Sequence, residues 1–296
     1  MTLSQPQVTA TPFGELNSVL AELVVEARRV LGDNFQAAYL QGSFALGDFD
    51  EHSDADFMIV TRRDISEAEL PALQALHERL HALPNPWARR LEGSYAPAAL
   101  LRNWSTTPRD PPGEPRPDDW ADPETGGRPP RVYPFWFLNN GASALVRSEH
   151  DNTQVVRWVL REKGLTLAGP PAATLIEPVS AEALQAEAAE TLQHLGVDLL
   201  AKSDSMGLRW QQAFMALAFA RMLHTLETGL VVSKRAAVTW ATENLRNSWA
   251  SLIEHAWQLR HNFADSWQDP ADPVELTDTM ALLRYALEVA SARSKT

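Results

Sequence analysis

The hydrophobic pattern changes period along the chain, and each change marks an element. Leu16, Val19, Leu20, Leu23 and Val24, continued by Ala27 and Val30, recur at helical spacing and predict an amphipathic helix ending near Gly32. Residues 37–60 read AAYLQGSFALGDFDEHSDADFMIV, with an apolar segment on each side of a glycine- and acid-rich middle. This predicts a strand, a tight turn with a short helical start, and a second strand over 57–60. Residues 61–66 turn the chain. Leu70, Leu73, Leu76 and Leu80 then mark a second amphipathic helix running to about Leu83. Pro84, Asn85 and Pro86 break it, and residues 87–95, WARRLEGSY, predict a short strand carrying Glu92.

Residues 104–131 are rich in proline, with glycine and mixed charge, and cannot build a core. A stretch this long reads as a flap beside a site or an insertion in an exposed loop. The aromatic run VYPFWFL at 132–138 returns the chain to a core, mainly as packing, with one ring a candidate to stack on a base or sugar. Asn139, Asn140 and Gly141 make a turn, a helix follows over 153–162, and Gly164 closes it. Gly169, Pro170 and Pro171 open a rigid connection ending at Pro178. Beyond it the pattern is helical, over about 181–194, 207–228, 233–244, 248–265 and 273–291. The helix over 207–228 is apolar on most sides, which predicts a central position with Trp210, Phe214, Leu217 and Met222 in the core. Gly229 stops it and Ser233 caps the next. The expected fold is α/β (α+β): a domain over 1–165 with a small mixed sheet and an insertion at 104–131, a linker over 166–180, and an all-helical domain over 181–296.

Candidate chemistry concentrates at 37–60. Asp54 and Asp56 are two apart at the mouth of a strand, so both carboxylates face one side. Two such groups in an apolar segment repel each other unless a cation lies between them. Oxygen-only ligation suits Mg²⁺, completed by water and substrate phosphates. Gly42 and Gly47 allow close backbone approach, and Ser43 offers a hydroxyl and an amide to anionic oxygens. The plainer alternative is a surface turn in which Ser53 or Asp54 caps a helix. Glu92 reads as a general base or a further metal ligand if its strand arrives beside the acid pair, and otherwise as a surface glutamate beside Arg89 and Arg90. His77 and His81 read as a solvated or half-buried pair rather than zinc ligands. His150 and Asp151 either position a substrate or cap the helix that follows, and the cap is preferred. Lys234 and Arg235 sit in the first turn of a helix, where cations are unfavourable unless an anion is near. Lys234 is therefore either a phosphate ligand or a solvated surface lysine.

The formal charge is −12 and the pI about 5.1, which argues against a nucleic acid or acidic-membrane partner and suits a cationic small substrate better. There are no cysteines, hence no disulfide or thiolate zinc site. The first residues lack a basic and then apolar leader, and no apolar run approaches a membrane span, so a cytoplasmic location is expected. No heptad seam or long exposed edge strand asks for a partner copy, and a monomer is sufficient.

Gly42 and Ser43, then Asp54 and Asp56, then a strand glutamate at Glu92, together resemble the nucleotidyltransferase superfamily that includes DNA polymerase beta. Residues 224–245 (HTLETGLVVSKRAAVTWATENL) and 167–179 (LAGPPAATLIEPV) are similar to the C-terminal half of the aminoglycoside 3''/9-adenylyltransferases, the streptomycin and spectinomycin resistance enzymes. The resemblance implies an N-terminal nucleotidyltransferase fold and a C-terminal helical bundle closing the cleft. Asp54 and Asp56 would bind Mg²⁺, Glu92 would deprotonate the acceptor hydroxyl, and Lys234 would contact the phosphates of ATP. The family also uses a tryptophan and acidic residues just before the central helix for its drug, where this chain has Leu208, Arg209, Trp210, Gln211 and Gln212. The implied reaction is adenylyl transfer from ATP to a small-molecule hydroxyl with release of pyrophosphate. Competing expectations are transfer to a protein acceptor, as in antitoxin-type nucleotidyltransferases, and a nucleotide-binding protein that has lost catalysis.

Overall fold

The computed structural model describes residues 10–51, 53–104, 132–201, 206–261 and 269–293. The proline-rich run read as a flap or insertion lies outside them, apart from Trp104. The chain divides into two compact units, Met1–Pro178 and Val179–Thr296.

The first unit contains a six-stranded mixed sheet: β1 (Phe35–Leu40), β2 (Ala55–Thr61), β3 (Leu91–Pro97), β4 (Phe135–Leu138), β5 (Leu145–Ser148) and β6 (Leu165–Ala168). Their order is β5-β4-β3-β2-β1-β6. Only β2 and β3 run parallel; every other neighbouring pair is antiparallel. The central strands are apolar at almost every position because helices and loops cover both faces. On one face Ala38, Leu40, Phe57, Ile59 and Leu91 pack with the buried stripes of α1 (Gly14–Leu31) and α3 (Leu70–His81). On the other, Tyr39, Met58, Val60, Ala96 and Phe135 pack with Leu160 of α5 (Gln154–Lys163).

Several local features depart from the sequence expectations. Residues 86–89 form a helical turn before β3, because Pro86 starts it and the Asn85 side chain accepts the Trp87 amide at 3.0 Å. His77 is not half-buried but 1% exposed. Its Nε2 pairs with the Tyr95 hydroxyl at 2.9 Å, its ring stacks on Phe57, and burial pushes its pKa down to about 3. Residues 165–168, at the start of the segment read as a linker, form β6 and pair with β1, and the Tyr39 hydroxyl donates to the Pro170 carbonyl at 2.6 Å.

The second unit is helical: α6 (Ala181–Ala201), α7 (Arg209–Thr228), α8 (Lys234–Asn244), α9 (Asn247–His261) and α10 (Pro273–Arg293). Helix α7 touches each of the other four. Ala213, Ala216 and Ala220 let the neighbours approach, while Leu217, Phe219 and Leu223 fill the interior. Phe214, expected in the core, is 55% exposed. Gly229 ends α7 with a left-handed φ of 70°, and the Ser233 hydroxyl caps α8 by accepting the Ala236 amide at 3.2 Å. Among the described residues no helix is long and apolar enough to cross a membrane.

Candidate active site

Strand direction builds the site. β1 runs antiparallel to β2, and β2 parallel to β3, so the end of β1 and the starts of β2 and β3 meet at one edge of the sheet. There the chain leaves β1 through Gln41 into α2 (Gly42–Leu46), a single helical turn closed by Gly47. The Gln41 amide donates to the Asp56 carbonyl at 2.7 Å, extending the pairing by one residue. Phe44 stacks on Phe49 at 4.7 Å, and Phe13 and Trp87 close around them, fastening the turn to the body of the unit. Asp54 precedes β2, and no helix starts there for it or Ser53 to cap. Instead the buried Ser53 hydroxyl accepts the Asp50 amide at 2.9 Å within its own turn.

Asp56 and Glu92 are register partners across the parallel pair, so their side chains leave the same face side by side. Gly42 lies against Asp56: a Cβ added there would sit 1.8 Å from Asp56 Oδ2. The turn therefore approaches the carboxylate as closely as glycine alone allows, at a φ of 59°. Ser43 follows in the same turn.

A bridge to the acids comes from the β4–β5 turn, which antiparallel pairing of β4 with β3 carries to the same edge. Asn140 Nδ2 donates to Asp54 Oδ1 at 2.6 Å, and the Asn140 amide donates to Glu92 Oε2 at 3.3 Å. The sequence showed only a turn here. After β5 the chain folds back over the same face, placing His150 Nε2 3.4 Å from Glu92 Oε1 with its ring stacked on Phe137 at 4.8 Å.

Asp151 is not the helix cap expected; Thr153 is, accepting the Val156 amide at 3.0 Å. Asp151 is buried and accepts the Ser94 hydroxyl at 2.7 Å. Burial raises its carboxyl to about 6; Glu92 adds to the rise, and His150, Ser94 and Gln41 oppose it. Ser94 is two residues after Glu92 on β3, so it points to the same face, a strand-periodic signal readable as E-x-S.

A hard divalent ion fits this donor set. Asp54, Asp56 and Glu92 offer only oxygens, and the space a Cβ at residue 42 would fill is left to the Asp56 carboxylate. Among the described residues no three His, Asp or Glu side chains form a ready-made metal cage. In the second unit Lys234 is the first residue of α8, its ammonium 5.9 Å from the centre of the exposed Phe214 ring. Gln211 places its side-chain oxygen on the Leu208 amide, accepting at 3.1 Å and capping α7.

Two family models match. Residues 25–85 fit the nucleotidyltransferase domain, and residues 175–282 fit the aminoglycoside adenylyltransferase C-terminal domain. The fold is similar to the crystal structure of spectinomycin adenyltransferase AAD(9) from Enterococcus faecialis with ATP and spectinomycin. The TM-score is 0.61 at 13% identity, over 93% of this chain and 98% of that one. The first model takes in the strand–turn–strand with Gly42, Asp54 and Asp56, and the second takes in α7, α8 and Lys234. The chain is a nucleotidyltransferase, belonging to the enzymes that join this catalytic domain to an aminoglycoside adenylyltransferase C-terminal domain.

Proposed function

We propose that the enzyme transfers AMP from ATP to a hydroxyl of a small molecule and releases pyrophosphate, with Mg²⁺ as its metal. The observation that carries this is the pairing of Asp56 with Glu92 across the parallel strands, with Asn140 joining Glu92 to Asp54. Asp54 and Asp56 would hold Mg²⁺, which when bound supplies charge neutralisation to the triphosphate and a template for in-line displacement. Gly42 and Ser43 receive the triphosphate against the α2 turn. Glu92 accepts the proton of the acceptor hydroxyl as its oxygen attacks the α-phosphorus and the bond to the departing pyrophosphate breaks. Lys234 offsets phosphate charge.

The acceptor is a small-molecule hydroxyl compound, and spectinomycin, present in the related structure, heads the compounds to offer, followed by aminoglycosides. The neutral, capping role of Gln211 leaves the second unit with less negative charge for a polycation than the family pattern supplies. Asp56→Asn tests the mechanism: pyrophosphate release with Mg²⁺, ATP and the acceptor panel falls by about a hundred- to a thousandfold with an unchanged melting temperature. Retained transfer to any acceptor would overturn the assignment.

A further inference from the structure

Glu92 is held by two long contacts, the Asn140 amide at 3.3 Å and His150 Nε2 at 3.4 Å. Its orientation therefore depends on what fixes those neighbours. The His150 side chain is half exposed. It is steadied by Phe137 beneath it and by its place in the chain beside Asp151, which is 6% exposed. Asp151 in turn is tied to β3 through Ser94, itself fully buried. A buried carboxylate costs several kcal/mol unless its oxygens are bonded. An apolar residue would satisfy packing alone, so this carboxylate does something packing does not.

We propose that Asp151 is a positioning residue for nucleotidyl transfer: anchored on Ser94 of β3, it holds His150 against the general base, Glu92. The proposal rests on the assignment of Glu92 as the base. Its chemistry needs no added reactant. His150 donates to or faces one Glu92 oxygen and leaves the carboxylate aimed at the acceptor. Asp151 fixes the backbone that presents the ring.

Long-range ¹H–¹⁵N spectra of the histidine rings near neutral pH test this without an acceptor. Asp151→Asn and Glu92→Gln are each expected to move the His150 ring signals while the other histidines stay in place. Ser94→Ala is expected to move them the same way by less, and serves if Asp151→Asn does not fold. Turnover with Mg²⁺, ATP and spectinomycin is the second readout. Asp151→Asn is expected to lower kcat about tenfold with KM for ATP within about twofold, since a misaimed base loses part of the hundredfold or more that such a group supplies. In a His150→Gln background the same change is expected to cost less than about twofold. A folded Asp151→Asn or Ser94→Ala protein whose His150 signals are those of the parent overturns the proposal, as does a full tenfold loss in the His150→Gln background. If Glu92→Gln is inactive while Asp151→Asn turns over normally, the positioning role alone fails. If Glu92→Gln turns over normally, the base assignment fails first.

Discussion

Gly42→Ala is the sharpest single perturbation the site allows. The new methyl would lie 1.8 Å from Asp56 Oδ2, 2.5 Å from Cγ and 3.0 Å from Cβ. To reach ordinary van der Waals separation the carboxylate, or the turn, must retreat by roughly 1.5 Å. The φ of 59° adds left-handed strain of about 1 kcal/mol for a residue with a side chain. A misplacement of about 1 Å at a reacting centre costs on the order of a hundredfold in rate. Gly47→Ala is the matched control. It has the same kind of backbone, with φ at 72°, but nothing lies within 4 Å of the added carbon. Pyrophosphate release and thermal melting are measured on both variants. Gly47→Ala loses about 1 kcal/mol of stability, Gly42→Ala loses that and about 1–3 kcal/mol more from crowding, and only Gly42→Ala loses about a hundredfold in kcat. Equal kcat values would show that crowding of Asp56 is irrelevant to turnover and would refute the reasoning.

Two further outcomes follow from particular side chains. His77 is held neutral in the fold at a pKa of about 3, whereas the unfolded chain takes up a proton near 6.5. Stability is full above that unfolded value and falls as pH drops through the window from 6.5 towards 3, at up to about 1.4 kcal/mol per pH unit. Urea titrations of His77→Leu, less stable at neutral pH because Tyr95 loses its partner, should show a flatter decline over that window; parallel curves would remove His77 as the cause. Lys234→Ala is expected to raise KM for ATP about tenfold or more, the scale of a charge-assisted contact, with the effect weakening at high salt; an unchanged KM would leave this lysine a surface residue.

Asp54, Asp56 and Glu92 could be singled out as candidates because their signals are local, an acid pair two residues apart before an apolar strand and a glutamate in a short strand. That Asp56 falls opposite Glu92 is a matter of register, which the intervening helix hides. Asn140 and His150 arrive through antiparallel pairing and a fold-back after β5, and nothing in NNG or SEHDN says which strand end they will meet. Asp151 looked like a cap because acidic residues before a helix usually are; burial beside Ser94 decided otherwise. His77 was readable in hindsight, lying at helical spacing from Leu73 and Leu80 on the buried face of α3. Phe214 was not, because a helix apolar all round does not announce which side stays uncovered. β5 and β6 are four residues each, too short for alternation to register.

The single parallel pairing, β2 beside β3, bears on how the enzyme comes into being. Helices α1 and α3 draw on neighbours along the chain, whereas the register of β2 with β3 requires closing the loop through α3, and Asn140 and Asp151 join from later still. Glu92 does not come beside Asp56 until that long-range pairing is made. A partly folded chain on the ribosome can hold much of its helix and yet leave ATP untouched, so turnover is the last property to appear and the first to vanish when the sheet opens.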